Sequence, residues 1–240
     1  MNTIKLEGKG ATKIVAHRGC SGIERENTLP AFVAAGNRTY FGIETDVHKT
    51  SDGKYILYHD HITSRLTAAE YTVEETDFDT LRALPILDKD GESTRIDLRM
   101  PTLEEYIRVC RYYGKVAVLE LKSDFSYEEL DEIYGIIDAL GYIESTVFIA
   151  FGLENLLRLR EKHPEVTAQY LVEHFDDALV ELLVKHKLDL DIYFSLMTKE
   201  RVELCHKNSI TVNVWTVDDP DKANALIEMG VDMITSNILE

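Results

Sequence analysis

The sequence predicts an α/β fold organised around a parallel sheet, closed as a (β/α)8 barrel or doubly wound. Three observations carry this. Short β-branched and aromatic runs recur along the 240 residues, helical periodicity fills most of the gaps between them, and one gap is too short for a helix. Strands are expected near residues 14–17, 42–47, 55–59, 116–121, 146–151, 167–172, 191–195, 211–217 and 232–236. Helices are expected near 29–36, 103–113, 127–140, 154–162, 175–186, 199–207 and 220–229.

Taken in order, the first strand runs from Ile14 to Ala16 straight into His17, Arg18 and Gly19. Between Val47 and Tyr55 lies HKTSDGK, whose Asp52-Gly53 is a hairpin turn signal. If the following strand runs back antiparallel, the other eight can close a barrel without it. Residues 60–101 are polar, acidic and weakly periodic, which reads as a loop or small insertion over one end of the sheet. Thr102 with Glu105 forms a capping box for the next helix. Leu130, Ile133, Tyr134 and Ile137 fall at i, i+3, i+4 and i+7, and Gly141 marks a helix stop. No linker marks a second unit, so residues 1–240 read as a single barrel-like domain.

Composition narrows the function. With 45% apolar and 29% charged residues the chain can build a sizeable core. Asp plus Glu outnumber Lys plus Arg by 43 to 26, and the formal charge of −17 disfavours nucleic acid and anionic membrane as partners. A phosphorylated substrate would need a local positive site. The N-terminus lacks the apolar run of a signal peptide, and no stretch approaches a membrane span. Cys20, Cys110 and Cys205 form no CxxC pair, so a reduced, cytoplasmic protein is expected.

Four strand ends carry groups that a packed core would reject. His17 and Arg18 end the first strand. Glu44 and Asp46, at i and i+2, share a face of the second, and Glu120 and Lys122 do the same on the fourth. The hairpin brings His59 opposite residues 44–46. Each has a plainer explanation singly: a structural histidine, a solvated acidic edge, a surface ion pair. Together at one end of one fold, three inward carboxylates call for a cation. Their hard oxygens suit Mg²⁺ or Ca²⁺ better than zinc. His59 and His61 form an HxH pair of zinc-binding type, although a solvated loop residue is the plainer reading of His61. Two imidazoles, Arg18, Lys122 and a metal match the needs of a phosphodiester. Trp215, the sole tryptophan, ends a late strand as a core residue or an apolar wall for the alcohol. Glu26 and Asn27 would order the first loop.

These residues lie in motifs that resemble the glycerophosphodiester phosphodiesterases, which are phospholipase-C-like TIM-barrel enzymes. "AHRG", "ENTLPAF", "IETDV", "SDGKYILYHD", "PTLEEY", "LELK" and "VNVWTVDDPDKANALIEMGVDMITSN" occur in the family's order over nearly the whole chain, apart from residues 66–98. The resemblance implies a TIM (β/α)8 barrel and hydrolysis of small glycerophosphodiesters to glycerol 3-phosphate and an alcohol. It implies His17 and His59 as the acid–base pair, Arg18 and Lys122 at the phosphate and Trp215 lining the substrate site. Glu44, Asp46 and Glu120 would hold one Mg²⁺ or Ca²⁺. The chain departs from the pattern at Arg25, usually proline, at Ala150-Phe151, usually Ser-Phe, and at Thr235-Ser236-Asn237, usually Thr-Asp-x-Pro. These departures leave the alcohol open. The histidines serve equally a direct attack by water and a route through a cyclic phosphate. Alternative readings are a phospholipase-D-like activity on lysophospholipids, which would need an exposed apolar rim, and a non-catalytic barrel binding phosphometabolites.

Overall fold

A computed structural model describes residues 2–240. Its nine strands are β1 (Lys13–Ala16), β2 (Gly42–Lys49), β3 (Tyr55–Leu57), β4 (Val116–Leu121), β5 (Thr146–Ala150), β6 (Thr167–Val172), β7 (Asp189–Tyr193), β8 (Val212–Trp215) and β9 (Met233–Ser236). The sheet runs β1-β9-β8-β7-β6-β5-β4-β2-β3, and the additional pairing of β1 with β2 closes it. Eight strands are parallel and form a closed barrel. β3 pairs antiparallel with β2 outside it, Val47 opposite Leu57, as the Asp52-Gly53 turn predicts. The doubly wound alternative is thereby excluded.

Alternation within the strands divides the core in two. Outward residues such as Ile43, Val47, Leu119 and Phe148 pack beneath the helices. Inward residues Val15, Val118, Ile149, Leu171 and Met233 fill the lumen. Because the period is 2, Glu44, Asp46 and Glu120 must also face inward. Asp46 stands opposite Glu120 in the β2–β4 register. The apolar lumen therefore gives way to charge at the C-terminal ends of the strands.

The helices are α1 (Leu29–Gly36), α2 (Phe78–Ala83), α3 (Leu103–Tyr113), α4 (Tyr127–Ala139), α5 (Leu153–Lys162), α6 (Asp177–His186), α7 (Lys199–Lys207) and α8 (Pro220–Met229). Thr102 and Glu105 form the expected capping box at α3, and Ser126 and Glu129 form a second at α4. α2 was not expected. Its six residues are too short for periodicity to reveal.

Residues 60–101 form a small packed excursion rather than an open loop. Ile56, Tyr58, Leu66, Val73, Leu81, Ile86, Leu98 and Met100 make a core separate from that of the barrel. The excursion leans on the loop after β1. Arg95 donates to Glu24 at 2.7 Å, and the guanidinium of Arg25 donates to the backbone carbonyl of Asp88. Arg25, standing where the resemblance expects proline, is thus a strut between the two loops. A charged hydrogen bond of this kind contributes about 1.5–3 kcal/mol. Arg25→Ala should therefore expose residues 85–99 to thermolysin several-fold faster, read from fragment masses, with the melting temperature of the barrel little changed. Equal cleavage rates in the two proteins would remove this role.

Candidate active site

The turn after β1 places the first groups. His17 is held to the barrel by its backbone N–H, which donates to Ser236 O at 2.9 Å. Arg18 then adopts φ +54°, a left-handed conformation costly for a residue with a side chain. The turn aims the Arg18 N–H at Glu44 Oε2, 2.7 Å away, and its guanidinium at Glu26 Oε1, 2.8 Å away. Gly19 must be glycine. At φ +76°, a Cβ there would stand 2.7 Å from the backbone of Ala31.

His17 Nδ1 lies 2.8 Å from Asn237 Oδ1, and the Asn237 amide nitrogen donates to Asp218 at 2.6 Å. Asn237 therefore presents an acceptor, so His17 carries its proton on Nδ1 and leaves Nε2 free. Burial, seconded by the Arg18 charge, lowers the His17 pKa to about 4. His59 is held differently. Its Nδ1 lies 2.6 Å from Asp60 Oδ1, and Asp60 in turn accepts from Arg65 Nε at 2.5 Å. Burial also lowers the His59 pKa, but the charge of Asp46 and the hydrogen bond to Asp60 work against it.

Arg65 makes two further bonds, of 2.9 and 2.8 Å, to the Glu26 carboxylate. One continuous chain, His59–Asp60–Arg65–Glu26–Arg18, thus links an imidazole to the guanidinium across the cavity. Burial works to raise the Glu26 pKa, but Arg65 and Arg18 outweigh it and hold the carboxyl at about 2.

Glu44, Asp46 and Glu120 converge with oxygens all within 4.8 Å of one another, and all three are buried. Asn27 Nδ2 donates to Asp46 Oδ2 at 2.7 Å, while Lys122 Nζ donates to Glu120 Oε1 at 2.9 Å. Arg18 and Lys122 overcome the burial of Asp46 and hold it at about 2. Burial and the Asp46 charge push Glu120 up to about 7, and burial with its two acidic neighbours pushes Glu44 well above the carboxylate range. Asp46 Oδ1 is buried with no hydrogen-bond partner, although Lys122 Nζ stands 3.6 Å away. Three oxygen donors, one of them orphaned, fit a hard divalent cation.

The cavity of about 100 Å³ at this centre is lined by His17, Arg18, Glu44, His59, Glu120 and Trp215, among others. Lys122 lies on its flank, lining an adjoining cavity of about 470 Å³ that shares Glu120. The eight candidates of the sequence analysis thus meet at one barrel end. Glu173 and His174, past β6, are exposed and stand outside both cavities.

Sequence reasoning missed several neighbours. Asp191 lines the inner cavity with Oδ1 unpartnered, its pKa raised by burial and then by Glu120. Phe151 and Tyr193, 46% and 40% exposed, flank Trp215 with ring centroids 5.6 and 5.8 Å from it. These three make an aromatic rim at the mouth. Arg65 and Asn237 complete the set. Phe151 and Asn237 fall at departures from the family pattern, but nothing local marks Asp191, Tyr193 or Arg65; only the closed barrel brings them in.

The sequence model of the glycerophosphoryl diester phosphodiesterase family matches residues 17–240. The chain is 28% identical over 232 residues to a glycerophosphodiester phosphodiesterase of Caldanaerobacter subterraneus subsp. tengcongensis, covering 94% of each. It is 30% identical over 164 residues to mouse glycerophosphodiester phosphodiesterase 1, covering 67% of this chain and 49% of the mouse protein. Among solved structures, an Oleispira antarctica phosphodiesterase in complex with the product sn-glycerol-3-phosphate superposes with a TM-score of 0.87 at 26% identity, over 94% of this chain and 93% of that one.

Proposed function

The chain belongs to the glycerophosphoryl diester phosphodiesterase family and is a phosphodiesterase of that kind, and from this premise we propose that it splits small glycerophosphodiesters into glycerol 3-phosphate and an alcohol by metal-assisted histidine catalysis. One observation carries the reading: two differently partnered imidazoles face one cavity with Glu44 and Glu120, and Asp46, with its orphaned oxygen, completes a trio of buried carboxylates beside it. Glu44, Asp46 and Glu120 would hold one Mg²⁺ or Ca²⁺, which when bound supplies positive charge to the phosphate. Arg18 and Lys122 bind the remaining phosphate oxygens and give the acidic chain its local positive site.

His17 and His59 divide the proton traffic by their partners. His17, neutral and backed by an amide, takes the proton of the nucleophile on Nε2. His59, backed by the Asp60 carboxylate, starts as the imidazolium and gives its proton to the leaving alcohol; exchange with solvent then takes the proton from His17 and restores the one on His59. Trp215 packs against the alcohol. Residues 1–240 act as one catalytic unit on a soluble substrate in the cytoplasm, without nucleic acid or membrane as a partner. Among the described residues no helix is long and apolar enough to cross a membrane.

The rim of Phe151, Tyr193 and Trp215 favours a second reading, in which the alcohol carries apolar bulk as in a lysophospholipid. One assay separates the two. Release of glycerol 3-phosphate or of free choline from glycerophosphocholine, glycerophosphoethanolamine and lysophosphatidylcholine is followed with chelator, then with added Mg²⁺ or Ca²⁺. Chelation should abolish turnover, either metal should restore it, and the soluble diesters should be preferred. Full turnover in chelator overturns the metal assignment; preference for the lysolipid selects the second reading.

A further inference from the structure

Beside the catalytic centre, and sharing no residue with it, lies a second cluster of metal-ligating groups: His48 on β2, His61 in the excursion, and Glu74 in the short turn Val73–Glu75. His48 Nδ1 is 3.1 Å and His61 Nδ1 4.0 Å from the same Glu74 Oε1, and the two rings meet edge to face at 5.5 Å. From these positions we propose that His48, His61 and Glu74 bind a divalent transition-metal ion of the zinc type, apart from the hard cation held by the three carboxylates.

The hydrogen-bond inventory around His48 points to a cation. Its side chain is wholly buried and faces an acceptor on each side, the Glu74 carboxylate at Nδ1 and the His59 backbone carbonyl, 3.4 Å away, at Nε2. An imidazole with one N–H can serve only one of them. With the proton on Nε2, the carbonyl of His59 fixes the tautomer and Nδ1 turns a lone pair toward the carboxylate. That is the arrangement of a metal-bound histidine whose other nitrogen is anchored by a carbonyl. Glu74 is oriented too, since Ser123 Oγ donates to its Oε1 at 2.8 Å and is itself fixed by the Lys49 N–H at 3.1 Å.

Distances agree with this metal class. Zinc–nitrogen and zinc–oxygen bonds of about 2.0–2.2 Å place tetrahedral ligand atoms roughly 3.3 Å apart. The His48–Glu74 separation of 3.1 Å is already there. His61, 72% exposed, must close its 4.0 Å by well under 1 Å, which a free side chain can do. Two imidazoles and one carboxylate are a borderline donor set, unlike the all-oxygen set of the catalytic centre. The ion is reached from the 470 Å³ cavity, whose wall includes His61, and water completes its coordination. Binding would tie β2, the segment just after His59 and the turn at Glu74 into one clip under the catalytic imidazole.

The test is Zn²⁺ binding to the full chain in saturating Mg²⁺, read by competition with a chromophoric zinc indicator, together with visible absorption after Co²⁺ loading. Wild type should bind one zinc per chain at micromolar concentration or tighter. His61→Ala and Glu74→Gln, both at exposed or half-exposed positions, should each weaken it at least tenfold and remove the bands of four-coordinate cobalt. Turnover in Mg²⁺ should be unchanged in His61→Ala, showing that the catalytic centre is intact. Zinc binding equal in wild type and His61→Ala, or no zinc binding in wild type, overturns the proposal.

Discussion

Replacing His17 or His59 by alanine should lower kcat by about 10²-fold or more, the usual scale for loss of a general acid or base and equivalent to about 2.7 kcal/mol of barrier. KM should change far less, because Arg18 and Lys122 hold the phosphate in both variants. The two losses should differ in character. In His17→Ala the Asn237 carbonyl keeps a donor in Ser21 Oγ, 2.7 Å away, so the first loop stays in place. In His59→Ala the Asp60 carboxylate keeps only Arg65, and the link to Glu26 and Arg18 survives without its terminal group. Added imidazole should restore part of the lost rate in either variant, which a merely structural role would not allow. Steady-state kinetics with circular dichroism as a folding control make the measurement, and wild-type turnover in either variant defeats the assignment.

Asp46→Asn should weaken Mg²⁺ binding and metal-supported turnover by more than about 10²-fold, because even the outer partners of metal ligands commonly contribute 10–100-fold. Asp46 is the member of the trio held ionised, near a pKa of 2, so it supplies the permanent negative charge. Glu120 is pushed up to about 7, so near neutral pH it holds a proton that a metal must displace, and burial with its acidic neighbours raises Glu44 in the same direction. The sign follows. Below about pH 7 the protonated form of Glu120 dominates and the cation competes with a proton; above it that competition ends. In wild type the half-saturating Mg²⁺ concentration should therefore fall as pH rises toward 7, by about tenfold per unit for each proton released. Calorimetric titrations in buffers of different ionisation enthalpy count those protons directly. Metal affinity independent of pH between 5.5 and 7.5 contradicts this account of the three carboxylates.

Strand and helix order was legible because alternation and 3.6-residue periodicity are strong in this chain. The Asp52-Gly53 turn allowed for an antiparallel return, and the closed sheet decided that β3 stands outside the barrel. The catalytic groups were legible because charged residues at i and i+2 on otherwise apolar strands have no packing reason to be there. Glu44, Asp46, Glu120 and Lys122 advertise themselves in that way. The positioning groups do not. Arg65 sits in a polar segment where such a residue is unremarked, Asn237 stood out only as a departure from the family pattern, and each acts on a partner 39 or 220 positions away. Helix α2 was hidden by its length. Phe151 and Tyr193 at strand ends are indistinguishable in sequence from core aromatics until closure of the barrel turns them toward the mouth.

The chain leaves and re-enters the barrel side by side around residues 60–101. Leu57 N donates to Pro101 O at 2.9 Å, and Ile56 bridges to Thr102. An excursion whose two ends are clamped together behaves as a closed polymer loop, and each doubling of such a loop costs only about 0.6 kcal/mol. Length and composition between the clamps can therefore drift almost without penalty, while β2 and β4 keep their register beneath. Relatives of this chain are free to diverge most in the part that shapes one side of the mouth, and least in the strands that hold the charge.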